Sequence, residues 1–252
     1  GLAGSALSRC LIKRGFTQIV TRTRTELDLT DQVATYQFFK TERPKTVLLA
    51  AAKVGGIGAN ERFPADFIEE NLSIQNNVIG AAFWTGVQNL IFLGSSCIYP
   101  RDCPQPIKEQ YLLDGPLEPT NRAYAVAKIA GIEACWAHNR QHGTRYIAVM
   151  PTNLYGPGDN YDLETSHVLP ALIRKVHEAK QRKLSEVSVW GTGLAWREFL
   201  YSDDLAGACM FLLDCPTEDL GQLFSNHYPP LVNIGMGTEL QIHELVSKII
   251  KV

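Results

Sequence analysis

The segment Tyr124-Ala-Val-Ala-Lys128 sets a phenol and an ammonium four residues apart, on one face of any helix that contains them. A lysine in that position favours ionisation of the phenol, and such a phenol suits protonation of a carbonyl oxygen. The lysine also suits a cofactor's ribose hydroxyls. A second set of groups stands in FLGSSCIYP, residues 92–100, where Ser95, Ser96 and Cys97 close an apolar run. Ser95 can donate a further hydrogen bond to the same carbonyl and steady a developing alkoxide. The thiol of Cys97 can exchange a proton with a carbon next to a carbonyl, given a suitable pKa. His167, in TSHVLP, is another group of that kind. Each residue alone has an ordinary reading: a turn-capping serine, a small buried thiol, a structural histidine. The Tyr-Lys spacing even recurs at Tyr36 and Lys40, with no hydroxyl partner in view.

Position along the chain separates the two spacings. Apolar runs at 45–52, 89–96 and 145–151 read as buried strands, with a further strand at 16–22. Helical patterns at 5–15, 31–44, 64–84 and 122–143 alternate with them, Asp31 opening one as a first-turn acid and Pro44 ending it. That alternation argues for a parallel sheet with helices on both faces. From about residue 152 the pattern becomes a turn-rich loop, TNLYGPGDN, followed by a helix over 166–183. A strand in EVSVWGTG, another at REFLY and a helix capped by Ser202 complete it. Ligands in doubly wound sheets bind outside the carboxyl ends of the strands. The loops after residues 4, 22, 52, 96 and 151 are therefore expected to meet at one site, with Ser95, Cys97 and Tyr124 around it.

Bulk properties narrow the function classes. Among 252 residues, 45% are hydrophobic and 20% charged, a globular composition. A formal charge of -2 gives no cationic surface for nucleic acid. No apolar run reaches the length of about 18 residues that a membrane span needs, and no secretory leader is evident. The six cysteines (Cys10, Cys97, Cys103, Cys135, Cys209, Cys215) lack CxxC spacing, so reduced thiols in a cytoplasmic protein are expected.

Gly1 and Gly4 in GLAGSAL fit the last two glycines of a dinucleotide-binding turn, where the missing side chains admit a pyrophosphate to a helix N-terminus. About twenty residues on, an acid would bind the 2′-hydroxyl of NAD, whereas arginine accommodates a 2′-phosphate. VTRTRTELDL offers Arg22 and Arg24 there, so on this fold NADP is preferred, with Asp28 and Leu29 beside the adenine. A solvated basic turn is the alternative for this stretch taken alone.

With Gly1, Gly4, Ser95, Tyr124 and Lys128 in this order, the chain resembles the extended short-chain dehydrogenase/reductases. AAAKVGGIGAN, FLGSSCIYP, LEPTNRAYAVAKIAGI, VMPTNLYGPGDN, SHVLPALIRK, VWGTG and REFLYSDD resemble, more narrowly, the GDP-L-fucose synthase family over nearly the whole chain. The resemblance implies a Rossmann-type doubly wound parallel sheet with a smaller C-terminal α/β substrate lobe. Residues 1–151 would bind NADP and 152–252 mainly substrate, the two interleaved. It implies an NADPH-dependent epimerase-reductase converting GDP-4-keto-6-deoxy-D-mannose to GDP-L-fucose. Cys97 and His167 would exchange protons at C3 and C5, and Tyr124, with Ser95 and Lys128, would protonate the C4 oxygen as hydride arrives.

The same resemblance places Gly1, Leu2, Ala3 and Gly4 at the pyrophosphate and Arg24 at the 2′-phosphate. Asp28, Leu29, Ala51 and Ala52 would line the adenosine side. Leu93, Gly94, Ser95, Ser96, Lys128, Pro151, Thr152, Asn153, Leu154 and His167 would surround the nicotinamide half. Trp190 and Arg197 match substrate positions, and Lys175 stands where an arginine is expected in bacterial relatives. No metal site is implied, and a homodimer joined through the helices at 64–84 and 122–142 is.

The resemblance also implies a preceding strand and first glycine, and a segment past Val252. The 252-residue chain is accordingly expected to lack a central strand and not to fold alone into an active enzyme. A nucleotide-sugar 4-epimerase would favour an acid in place of Arg24. A 4,6-dehydratase would need an acid beside Ser95, where Cys97 stands. A non-catalytic NADP-binding scaffold is the third reading, against which the intact set Ser95, Cys97, Tyr124, Lys128 and His167 speaks.

Overall fold

The computed structural model describes residues 1–252. In chain order its first half comprises α1 (Leu2–Lys13), α2 (Gln32–Glu42), β1 (Thr46–Leu49), α3 (Ile57–Arg62), α4 (Pro64–Trp84), β2 (Asn89–Leu93) and α5 (Arg122–His142). There follow β3 (Arg145–Pro151), β4 (Asn153–Tyr155), α6 (Val168–Gln181), β5 (Trp196–Tyr201), α7 (Ser202–Asp214), β6 (Leu231–Ile234), β7 (Glu239–Gln241) and α8 (Ile242–Ile250). No helix is long and apolar enough to cross a membrane.

β1, β2, β3 and β6 form a parallel four-stranded sheet in that order. Because side chains alternate across a strand, the apolar runs of β2 and β3 supply two cores at once. Leu90, Phe92, Tyr146, Ala148 and Met150 pack against α4 and α5 on one face. Ile91, Leu93, Ile147 and Val149 pack against α1 and α7 on the other. The fold is thus a Rossmann-like layer of helices on both faces of a parallel sheet. A smaller sheet, β4-β5-β7, packs with α6 and α8 around Leu169, Leu172, Phe199, Ile242 and Leu245.

Where α5 crosses β2, the backbone approach requires a glycine. A Cβ at Gly131 would lie 2.4 Å from Phe92 Cζ and 2.9 Å from Gln75 Oε1. Both of those side chains are themselves buried, so neither has room to move. Gly131→Ala is expected to cost about 1–3 kcal/mol of stability by overpacking, read as a lowered melting temperature in a thermal scan. An unchanged midpoint would show that α5 can shift outward freely.

α4 spans the expected 64–84, and α5 ends at Gly143, which takes the left-handed conformation at φ 67°. Asp31 caps α2 instead of lying within its first turn, its carboxylate accepting from the Ala34 amide at 2.9 Å. Tyr201, not Ser202, caps α7; Ser202 is the first helical residue and fully buried. Residues 16–22 form no strand, because no neighbour offers them a ladder, and they lie mostly exposed. β1, expected to be buried on both faces, is instead an edge strand in which only Leu49 is buried. EVSVWGTG is likewise irregular and mostly exposed. Part of the expected loop at 152–160 is β4, which pairs in parallel with β5.

Candidate active site

The carboxyl ends of β1, β2 and β3 open, with the N-terminus of α1, onto one cavity of about 560 Å³. Gly1 caps α1 and lines the cavity with Leu2 and Ala3. The first turn of a helix has backbone amides without intrahelical partners, which makes it a seat for an anion. Gly94 continues the β2–β3 ladder past Leu93 by donating from its amide to Val149 O at 2.9 Å. A Cβ there would come within 2.4 Å of the end of the buried Met150 side chain, which would have to move to admit it.

Ser95, Ser96, Tyr124, Lys128 and His167 all line this cavity. Lys128 is only 3% exposed. Its Nζ donates to Leu93 O at 2.8 Å and lies 5.7 Å from the Tyr124 ring centre. The Tyr124 ring is fixed edge-on against Phe67, at 6.1 Å and 90°. Burial lowers the Lys128 ammonium to about 8, with Cys97 pulling the other way. Burial raises the Tyr124 phenol, Cys97 adding to the rise and the Ser95 hydroxyl opposing it. Cys97 sits in the short 3-10 turn Ser96–Ile98 after β2. It keeps some surface, yet burial pushes its thiol up to about 11 while Ser95 and Lys128 work to lower it. Ser95, Cys97, Tyr124 and Lys128 are therefore one electrostatically coupled group, with phenol and thiol both protonated at neutral pH. His167 faces it from the N-cap of α6.

The opposite end of the cavity holds Arg22, Arg24, Asp28 and Leu29. Arg22 pairs with Glu42 at 2.6 Å and stacks over Phe38, while Arg24 pairs with Glu70 at 2.8 Å. Asp28 is held low by the Thr30 amide and hydroxyl, with a smaller contribution from Arg24. Ala51 and Ala52 lie between the two ends, and Pro151, Thr152, Asn153 and Leu154 form a further stretch of wall.

Five expected residues do not line the cavity. Gly4 faces Ala50, just past β1, at an ordinary contact distance: a Cβ at Gly4 would stand 3.8 Å from the Ala50 Cβ. Cys97 stands behind Ser95. Lys175 and Trp190 meet each other, the ammonium 5.1 Å from the indole centre, on the smaller lobe. Trp190 is 82% exposed, and Arg197 lies exposed on β5. Sequence reasoning missed Glu70, Asp159, Asn160, Thr165 and Ser166 as wall residues. Asp159 and Asn160 stood in the GPGDN turn, and Ser166 beside His167, so loop position was a usable signal. Burial raises the Asp159 carboxyl, with the Asn160 amide and His167 opposing.

The residues present fit a dinucleotide. Thr152 Oγ1 and Ser166 Oγ are buried in the cavity wall without a partner, two hydroxyls ready for a polar ligand. No three His, Cys, Asp or Glu side chains are grouped to hold a metal ion.

The sequence profile of the NAD dependent epimerase/dehydratase family matches residues 1–234. GDP-L-fucose synthase 1 of Arabidopsis thaliana is 56% identical over 249 residues, covering 98% of this chain and 73% of that protein. GDP-L-fucose synthase of Escherichia coli K12 is 50% identical over 254 residues, covering 100% of this chain and 78% of that protein. Among solved structures, a GDP-mannoheptose C4 reductase from Campylobacter jejuni with NADP bound superposes with a TM-score of 0.88 at 39% identity, covering 99% of this chain and 81% of that one.

Proposed function

The chain belongs to the NAD dependent epimerase/dehydratase family, and from its likeness to the GDP-L-fucose synthases we propose that it is an NADPH-dependent epimerase-reductase converting GDP-4-keto-6-deoxy-D-mannose to GDP-L-fucose. The observation that carries this reading is that Ser95, Tyr124, Lys128 and His167 line one dinucleotide-sized cavity, with the Cys97 thiol coupled to Ser95 and Lys128 just off its wall. The C4 ketone of such a substrate acidifies C3 and C5 and later accepts hydride, so both reactions use one polarised carbonyl. NADPH, when bound, supplies that hydride.

Ser95 and Tyr124 aim hydrogen bonds at the C4 oxygen, which polarises it during inversion. Cys97 and His167 act as an acid–base pair at C3 and C5, His167 removing protons and the thiol, protonated at rest, returning them. Tyr124 then gives its proton to the oxygen, and Lys128 holds the ribose hydroxyls and offsets the charge left on the phenol. The N-terminus of α1 receives the pyrophosphate, and Arg24 the 2′-phosphate. Trp190 offers an apolar face, and Lys175 and Arg197 charge, to the GDP moiety. Residues 1–151 serve chiefly the cofactor and 152–252 the substrate.

We assign a homodimer built on α4 and α5, supported by the exposure of Trp84 at 74% and Val126 at 38% on that helix pair. A cytoplasmic setting agrees with six unpaired cysteines. The direct test is oxidation of NADPH by the full-length protein, followed by absorbance, on adding GDP-4-keto-6-deoxy-D-mannose. GDP-L-fucose as product supports the reading, and no oxidation would end it.

Lys128 gives the reaction a pH limit. Its ammonium is intact below a pKa of about 8 and is lost as pH rises through that value. kcat/KM for reduction, which reports the free enzyme's groups, is expected to fall above that pH. A profile flat well into the alkaline range would remove Lys128's charge from the mechanism.

A further inference from the structure

Glu70 lies on α4 in the wall of the adenosine end, and nothing in the reaction above uses it. Its side chain is only 16% exposed and holds two cations, Arg24 Nη1 at 2.8 Å and Lys53 Nζ at 3.2 Å, on different oxygens. Lys53 is fastened in turn. Asp66 holds its ammonium at 3.2 Å, and the Asn71 side chain accepts from its amide and donates to its carbonyl, each at 3.0 Å. Glu70 is therefore a fixed anion. Arg24 instead projects from the irregular segment between α1 and α2 and is 70% exposed. One partner of the pair is rigid and the other is free to turn.

We propose that Glu70 is a specificity-determining positioning residue whose carboxylate competes with the cofactor's 2′-phosphate for the guanidinium of Arg24. This rests on the reading of the cavity as an NADPH site. A guanidinium meets an oxyanion through a planar fork, and Glu70 occupies part of that fork. A phosphate dianion drawing Arg24 toward itself must also approach a largely buried like charge. The neighbouring cations are already engaged, Lys53 shared between Glu70 and Asp66 and Arg22 paired with Glu42. A 2′-hydroxyl is neutral and donates to a carboxylate, so NADH meets no such opposition. Glu70 thus narrows the preference for NADPH over NADH that Arg24 alone would set.

Glu70→Gln removes the charge and keeps the shape. Titrated by calorimetry at low ionic strength, the variant is expected to bind NADPH about threefold to fivefold tighter, the range ion pairs of this exposure carry, and NADH no tighter. The ratio of the two affinities therefore rises. In an Arg24→Met background the same change is expected to alter NADPH affinity by less than about twofold. Should Glu70→Gln fold poorly, Glu70→Asp, which withdraws the carboxylate from Arg24 by one methylene, is expected to raise the ratio in the same sense. A ratio that falls or stays fixed, or an undiminished effect without Arg24, overturns the proposal. Failure of the underlying reading looks different: wild-type protein that binds neither cofactor, or Arg24→Met that leaves NADPH affinity unchanged.

Discussion

Tyr124→Phe is expected to slow C4 reduction by about 10²- to 10⁴-fold, the range a positioned general acid contributes, while solvent deuterium still enters the substrate at C3 and C5. The substitution deletes one oxygen and keeps the ring that packs edge-on to Phe67, so the cavity wall should survive. Burial raises the phenol's pKa, so it holds its proton at neutral pH, as an acid for a developing alkoxide must. Ser95 remains to polarise the ketone, which is sufficient to acidify its neighbours. Single-turnover absorbance of NADPH and mass spectrometry of recovered substrate separate the two steps. Full reductase activity in the variant would show that another group protonates the oxygen.

The complementary change is Cys97→Ser, expected to reduce deuterium entry at C3 and C5 by about 10²-fold or more. Reduction of a substrate already inverted at both carbons should persist within a few-fold. A hydroxyl placed beside Ser95 preserves polarity but surrenders the thiol's proton chemistry. At rest the thiol is protonated, burial having raised it to about 11, and Ser95 and Lys128 are the groups that lower it. His167→Asn tests the other half of the pair from the N-cap of α6 and is expected to have the same signature. If both variants exchange deuterium at the wild-type rate, proton transfer runs through other residues.

Much of the site was legible because its chemistry follows strand and helix ends. The Tyr124–Lys128 spacing could be read as one helix face. Ser95 could be placed at the carboxyl end of an apolar strand, and the convergence of the loops after 52, 96 and 151 follows from parallel pairing. Less legible were residues whose partners are remote in sequence. Glu70 reads as an ordinary polar position in an amphipathic helix, and only its 2.8 Å contact with Arg24 gives it meaning. Asp159 could be placed in a turn, but its raised carboxyl comes from burial that only the fold supplies. Cys97 was expected against the ligand and stands one step behind Ser95, since the 3-10 turn after β2 turns it off the wall.

Local signals fixed α4, from Pro64 at its first turn to its full length, α5 to its glycine cap, and β2 and β3, whose continuous apolar runs supply alternate residues to two cores. Such patterns are local and survive in any packing. Tertiary structure alone decided whether apolar stretches without such support became strands. Residues 16–22 have strand composition but no neighbour to complete their hydrogen bonds, whereas the short stretch 153–155 pairs with β5. A strand exists only as half of a ladder, and a charge acquires its pKa and role only from what folding sets beside it.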